Sequence, residues 1–486
     1  MGRRQNGSEG SSADTAGIPK TLTGVRGLDE VLRGGLPTGA LTLLNGGPGT
    51  GKTLLGLEFL YRGALEGHPG VVLSFEERSD ILRRNALTLG WDLAPLEEQG
   101  KLAILDGRID PQAVLSGAFD LHAMLAILQR MAETIGATRL LLDGPDAFLR
   151  LLDSPAKERA ELYRVNDWVR DNGMTGVMSV KREHYDGGRY EFLDYLADCV
   201  IEVDQRVEEQ IATRRLRVVK YRGSDYGRNE YPFAIYRDGL HIIPVTATAL
   251  RHRGLGESVP SGVEGLDGIL GGGFRRNSCN LVSGASGTGK TTVACSFVHA
   301  VCARGEKALY IDFEESEDAL LSGMLSPGID LRPAVDQGLL RFHSIMPEAL
   351  GVEEHLVGAY DLIDTFAPPF LVVDAISACR RMGSAHAAFD YLLRLIDFCK
   401  SRGITTLLTN LSSSQSQDIE VTGIDLSSVI DTVILLRNRE QDGELRRLLL
   451  VLKSRGRAHS SRCHEFHITD RGIRLPDLMG CGEGAS

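Results

Sequence analysis

The sequence lacks most of the features that commit a chain to metal, membrane or nucleic acid. Its eight cysteines are Cys199, Cys279, Cys295, Cys302, Cys379, Cys399, Cys463 and Cys481; no Cys-x-x-Cys occurs and no Cys/His cluster has zinc-ligand spacing. Cys295 and Cys302, inside a helical pattern, read as small buried apolar residues. No apolar run reaches the roughly 18 residues that a membrane span needs. The opening MGRRQNGSEGSSADTAG is polar and has no apolar signal-peptide core, so residues 1–17 are expected to be a disordered tail on a reduced, cytoplasmic protein. Positive charge is short too. The 54 Lys and Arg against 65 Asp and Glu leave a net charge of −11, which removes any global electrostatic reason to bind nucleic acid but leaves room for a local basic patch.

What is present is ordinary globular composition, 42% hydrophobic and 24% charged, spread over 486 residues. That length exceeds a single core and suits two or three domains. Sliding the chain on itself shows why. TGVRGLDEVLRGGLPTG from Thr23 recurs as SGVEGLDGILGGGFRRN from Ser261, and GGPGTGKT at Gly46–Thr53 recurs as GASGTGKT at Gly284–Thr291, both at an offset of 238 residues. The same offset carries Glu76 and Glu77 of VVLSFEER onto Glu314 and Glu315 of LYIDFEES. Farther on, LLLDG at Asp143 answers LVVDA at Asp374, and VVKYRG answers VLKSRG. A period this long marks duplicated domains, since solenoid units run about 20–50 residues. The expected division is a first domain over 18–245, a polar linker over 246–258, a second domain over 259–474 and a short tail over 475–486. In each copy short apolar strands alternate with amphipathic helical stretches, which predicts an α/β fold whose mainly parallel sheet is flanked by helices. Ligands of such sheets sit at the carboxyl ends of the strands.

The chemistry collects at those ends. Gly-x-x-x-x-Gly-Lys-Thr lets successive backbone N–H groups converge on phosphate oxygens at a helix N-terminus. Gly46, Gly47, Pro48, Gly49, Thr50, Gly51, Lys52 and Thr53 form one such loop; Gly284, Ala285, Ser286, Gly287, Thr288, Gly289, Lys290 and Thr291 form the other. Lys52 and Lys290 reach for the β- and γ-phosphates of a bound ATP, and Thr53 and Thr291 for Mg²⁺. Asp143 and Asp374 each end an apolar strand, where a carboxylate orders Mg²⁺ or water; such an Asp could equally cap the following helix. Glu76–Glu77 and Glu314–Glu315 end another, where one carboxylate can orient or deprotonate an attacking hydroxyl or water. Lys220 and Arg222, repeated as Lys453 and Arg455, have no ligand legible within their own domain; they read either as a clamp on a neighbour's phosphates or as solvated edge cations.

Taken together, the duplicated loops, the double glutamates, KYRG with KSRG and the stretch SSVIDTVILL resemble the KaiC family from about Ile18 to Asp470. The resemblance implies tandem RecA-like domains in a hexameric double ring, with ATP between subunits and Lys220, Arg222, Lys453 and Arg455 on the neighbour's nucleotide. It implies that Glu76 and Glu77 activate water in a first-domain ATPase, and that Glu314 and Glu315 serve serine/threonine autophosphorylation in the second domain. The acceptor pair then falls on Ser427 and Ser428, with Thr422 as a further hydroxyl, and GAFDLHAML at Gly117–Leu125 resembles a segment that binds a KaiB-like partner. The family carries a longer regulatory tail than the DRGIRLPDLMGCGEGAS that ends this chain, so the expectation is a KaiC-like signalling ATPase. Two other readings stand beside it. A nucleotide-gated scaffold would recruit signalling partners with incidental hydrolysis. A DNA-dependent recombinase or helicase would need a basic inner surface, and QRVEEQIATRRLRVVKYRG, its best candidate, is interrupted by acids and reads as paired strands.

Overall fold

The computed structural model describes residues 17–108, 121–150, 152, 154–181, 192–208, 211–244, 252–412, 428–441 and 443–476. The chain divides into two compact units, the first built mainly from residues up to 245 and the second from residues 246 onward.

The first unit holds a nine-stranded sheet: β1 Leu41–Gly46, β2 Gly70–Ser74, β3 Leu102–Asp106, β4 Arg139–Asp143, β5 Thr175–Lys181, β6 Cys199–Glu208, β7 Ile211–Tyr221, β8 Glu230–Tyr236 and β9 Gly239–Ile242. Their spatial order is β3-β2-β4-β5-β1-β6-β7-β8-β9. Pairings from β3 through to β6 are parallel, and the β7/β8 and β8/β9 pairings are antiparallel. Every residue of β1 is buried. Because side chains alternate across a strand, Leu44, Val72, Leu141 and Val177 face one apolar layer with Phe59, whereas Leu43, Val71, Leu140 and Met178 face another with Leu128 and Val169. Helices therefore cover both faces of the parallel part. Such double cover leaves only the strand ends open to a ligand.

The second unit repeats this plan with β10 Cys279–Gly284, β11 Ala308–Asp312, β12 Leu340–Ser344, β13 Phe370–Asp374, β14 Thr405–Leu411, β15 Thr432–Gln441, β16 Glu444–Ser454, β17 His464–Thr469 and β18 Gly472–Arg474. The order β12-β11-β13-β14-β10-β15-β16-β17-β18 is the same order, strand for strand. The duplication read from the sequence is a duplication of fold. The α/β expectation holds in both units. The stretch read as paired strands runs through β6 and β7, and its arginines are occupied: Arg206 pairs with Asp204 and Glu230, and Arg217 with Glu202.

Part of the expected linker is attached to the second unit. Gly256 donates its N–H to Arg276, the Arg275 guanidinium bonds the carbonyls of Leu255 and Gly256, and Ser258–Val259 pairs with Phe274–Arg275. Residues 245–251 lie outside the described residues. At the other end Leu475, expected to begin the tail, is buried in the second core. All the described cysteines but Cys463 are buried, as the helical pattern of Cys295 and Cys302 anticipates. No helix among the described residues is long and apolar enough to cross a membrane.

One buried acid ties the first unit's core to its sheet edge. Glu58, on helix Lys52–Leu65, accepts the Leu240 N–H at 2.8 Å and bonds Arg62. Burial pushes its carboxyl up to about 7, against the opposing pull of the Leu240 N–H and the Arg62 charge. A folded-state value above the unfolded one favours the folded state only while the proton stays on. The contribution is therefore complete below the unfolded value of 4.5 and is lost as pH rises through about 7, a difference of about 3 kcal/mol. Both tryptophans, Trp91 and Trp168, lie in the first unit, so urea unfolding followed by their fluorescence reports that unit alone. The expected result is a midpoint that falls between about pH 5 and pH 8 in the wild type, and a flatter profile in Glu58→Gln.

Candidate active site

Each loop begins where a buried central strand runs out. In the first unit β1 ends at Gly46, whose missing side chain would sit 2.4 Å from the Val203 carbonyl oxygen. Gly49 and Gly51 then take φ of 74° and 95°, conformations that favour glycine, and Lys52 starts the helix. The second loop matches it, with Gly287 and Gly289 at 73° and 97° and Lys290 starting a helix of the same length. Side chains brace both loops alike. Thr50 and Lys52 donate to the Gly47 carbonyl at 2.8 Å, and Thr288 and Lys290 donate to the Ala285 carbonyl at 2.8 and 2.9 Å. Burial lowers the pKa of both lysines, with nearby carboxylates opposing the shift.

The carboxylates behind the loops differ. Asp143, at the end of β4 and 2% exposed, accepts from Thr53 at 3.0 Å and from Ser179 at 2.7 Å, both on Oδ1. Its Oδ2 is buried without a hydrogen-bond partner among the described residues. It therefore does not cap a helix. Burial raises its pKa, and Ser179, Thr53 and Lys52 pull the other way. Asp374, at the end of β13, takes the equivalent hydroxyl from Thr409 on Oδ1, but Tyr310 donates to its Oδ2 at 2.8 Å. Tyr310 falls at the position of Val72 in the first copy, so one substitution on the neighbouring strand fills the oxygen that Asp143 leaves open.

The glutamates sit just beyond the neighbouring strand. Glu76 and Glu77 follow β2; Glu77 accepts from Asn85 at 3.2 Å and its N–H bonds the Ser74 hydroxyl. Burial raises both carboxyls above the usual range, reinforced at Glu76 by Asp146 and Asp143 and at Glu77 by Asp143. Glu314 and Glu315 follow β11, and both their N–H groups bond Oδ1 of Asp312 at 2.8 Å. Asp312, which replaces Ser74 and lies in register with Asp374, is pushed up to about 6, chiefly by burial.

Pro48, Lys52, Thr53, Glu76, Asp146 and Lys181 are among the residues lining one cleft of about 620 Å³, with Leu54, Leu57 and Ile235 supplying apolar wall. That volume suits a nucleotide-sized ligand, since such pockets run about 300–1,000 Å³. The orphaned Asp143 oxygen beside the Thr53 hydroxyl fits a hard divalent cation, for which oxygen donors are the preferred set. Thr53 with Asp143 would hold Mg²⁺ there.

The basic pairs have partners that the sequence does not reveal. Lys220 donates to the carbonyls of Asp194 and Ala197 at 2.6 and 2.7 Å, and Arg222 to that of Tyr195 at 2.6 Å. In the second unit three cations grip three successive carbonyls. Arg455 bonds Ser428 at 3.4 Å, Lys400 bonds Val429 at 2.6 Å, and Lys453 bonds Ile430 at 2.7 Å. Asp431, buried, pairs with both Lys400 (2.8 Å) and Arg455 (3.4 Å). Burial lowers the pKa of Lys220 and Lys453. These cations clamp a turn of their own domain, contrary to the expectation of no in-domain ligand. Ser428 is exposed on that turn. Ser427 and Thr422 lie outside the described residues, as do residues 117–120 of the GAFDLHAML stretch, whose Leu121 opens a helix to Ile135.

Sequence reasoning missed Asp146, Asp312, Tyr310 and Lys400. Ser74 and Asp312 stand in equivalent positions of the repeat, so that contrast is readable; the other contacts need the fold. Gly144 offers a direct check on the geometry. It holds φ of 66°, and a methyl group there would meet Glu76 Cγ at 2.5 Å. Gly144→Ala is expected to destabilise the first unit by about 1–2 kcal/mol in urea unfolding read by tryptophan fluorescence.

Comparison with known proteins agrees with this geometry. Residues 21–247 and 259–478 each match the family described as the KaiC ATPase. A circadian clock protein KaiC2 of Synechocystis sp. is 38% identical over 97% of this chain and 84% of its own length. The circadian clock oscillator protein KaiC of Synechococcus elongatus is 35% identical over 97% of the chain and 91% of its own. A circadian clock protein KaiC3 of Synechocystis sp. is 34% identical over 95% and 92%. With two matched domains, two braced phosphate loops and near full-length similarity, the chain belongs to the KaiC family of ATPases.

Proposed function

We propose that the two clefts divide the work of one ATP-driven signalling protein: the first hydrolyses ATP, and the second transfers a phosphoryl group to a serine of this chain or of an identical neighbour. The observation that carries this reading is the clamped turn at Ser428. In the sequence Asp194 and Tyr195 precede Lys220 and Arg222 by 26 and 27 residues, as Ser427 and Ser428 precede Lys453 and Arg455, so Tyr195 and Ser428 hold equivalent positions on the two held turns. The cation-held turn thus presents the serine hydroxyl of Ser428 in the second domain, where the first-domain turn presents Tyr195. A held backbone supports transfer, because positioning of the nucleophile supplies much of the rate in phosphoryl chemistry.

In this reading Lys52 and Lys290 bind the β- and γ-phosphates while the loop N–H groups take the remaining oxygens. Mg²⁺, when bound, neutralises phosphate charge. Glu76 or Glu77 orients water in the first cleft, and Glu314 or Glu315 accepts the serine proton in the second. Lys220, Arg222, Lys453 and Arg455, at the ends of β7 and β16, reach the neighbouring subunit's nucleotide in a homo-hexameric double ring as well as holding the turns of their own domain. A KaiB-like or other signalling partner reads the state of the ring. The occupied arginines of β6 and β7 and the net charge of −11 weigh against a nucleic-acid role.

Purified protein incubated with Mg-ATP is expected to carry phosphate at Ser427 or Ser428 by phosphopeptide mass spectrometry. That phosphate should be lost in Glu314→Gln/Glu315→Gln and in Ser427→Ala/Ser428→Ala, while ATP hydrolysis continues. Hydrolysis without phosphate on any serine or threonine would remove the kinase half. Native mass in ATP is expected near six times the 52.8 kDa chain, and a monomer under those conditions would remove the ring.

A further inference from the structure

Asp146 has no counterpart acid in the second domain. It is 3% exposed and contributes to the wall of the first cleft with Glu76 and Lys52. One of its oxygens takes the backbone N–H of Lys181, and Oδ1 is buried with no hydrogen-bond partner among the described residues. In the second domain Ser377 stands in its place, and the Ser377 hydroxyl accepts the N–H of Leu411, which is the residue equivalent to Lys181. Both residues therefore lock the same strand end. Only Asp146 has an oxygen left over.

A nucleophile's protons count the acceptors it needs. A serine hydroxyl has one O–H, so one carboxylate both orients it and takes its proton. Water has two, and its lone pair is aimed only when both O–H bonds are engaged. We propose that Asp146 is a further catalytic residue of the first cleft, its free Oδ1 accepting the second O–H of the attacking water while Glu76 accepts the first. The inference rests on the reading of the first cleft as the hydrolytic one.

The water oxygen bonds to the γ-phosphorus, the bond from that phosphorus to the bridging oxygen breaks, and the bridging oxygen leaves with ADP. The proton released from water passes to Glu76 and then to solvent. Asp146 stays an acceptor throughout. Its nearness to Glu76 is consistent with the charge coupling between them, which raises the Glu76 carboxyl second only to burial. The Lys181 N–H, and after it the charges of Arg150 and Lys52, oppose the effect of burial on Asp146 itself. The second cleft, with Ser377 in this position, has one acceptor fewer for water, which disfavours hydrolysis where transfer to a hydroxyl is wanted.

The test uses the full chain carrying Lys290→Ala, so that phosphate release reports the first cleft. Asp146→Ser keeps the lock on the Lys181 N–H, as Ser377 does in the second domain, and removes the spare oxygen together with the carboxylate charge; Asp146→Asn removes the charge and keeps the size. In both, kcat for phosphate release is expected to fall about 10- to 100-fold, with the KM for ATP and the Kd of a fluorescent ATP analogue within about threefold of the parent. Tryptophan fluorescence unfolding verifies that the first unit is folded in each variant. A kcat within about twofold of the parent in both variants would overturn the inference. So would a fall in kcat matched by an equal loss of analogue binding, which would make Asp146 a binding residue. If the Lys290→Ala parent itself releases no phosphate, the reading of the first cleft fails and the inference goes with it.

Discussion

Both loops depend on the close approach of backbone to backbone where a buried strand turns into a helix. At Gly46 a side chain would meet the Val203 carbonyl oxygen at 2.4 Å, and at Gly284 it would meet that of Leu436 at 2.6 Å. The glycines at positive φ that follow bring the helix start, and with it Lys52 or Lys290, directly over the strand ends. Parallel pairing then sets Asp143 opposite Ser74 and Asp374 opposite Asp312, so the aspartates and the glutamates just beyond the neighbouring strands share one edge of each sheet. Helices cover both faces of the parallel strands, and that edge is where a charged ligand can enter without crossing apolar core.

On this common frame a few side chains differ between the two domains. Val72 leaves the outer oxygen of Asp143 open, whereas Tyr310 fills that of Asp374. Ser74 makes one bond to the turn that presents its glutamates, at 3.2 Å; Asp312 makes two at 2.8 Å. Asp146 brings a spare carboxylate oxygen to one cleft, and Ser377 brings none to the other. The cation clamps add a further difference, since the turn they hold carries Tyr195 in one domain and Ser428 in the other. The first three contrasts lie at the strand ends beside the loops. The loops themselves are held alike.

Much of this frame is legible in the amino-acid sequence. The offset of 238 residues exposes the duplication, and it holds through the glutamates because no insertion separates them from the loops. Alternating strands and helices predict the parallel sheets, and the apolar runs alone place Asp143 and Asp374 at strand ends. The carbonyl partners of Lys220, Arg222, Lys453 and Arg455 cannot be read there, because backbone carbonyls have no letter in a sequence, and Asp431 meets Arg455 only in the fold. Lys400 looks like an ordinary helix residue; it is nearly buried, 7% exposed, because Asp431 and the Val429 carbonyl take its charge. Asp146 reads as the first residue of a short helix, and its significance rests on an oxygen whose lack of a partner only the fold reveals.

The central claim is that two similarly built loops do different chemistry, and radiolabelled ATP tests it most directly. With the γ-phosphate labelled, the full chain carrying Lys52→Ala and the chain carrying Lys290→Ala would each be followed for free phosphate and for label retained on protein. The account predicts opposite patterns. Lys52→Ala should lose most free-phosphate release and still label its serines, and Lys290→Ala should release phosphate and remain unlabelled. Equal loss of both products in both variants would contradict it, because the two clefts would then be acting as one.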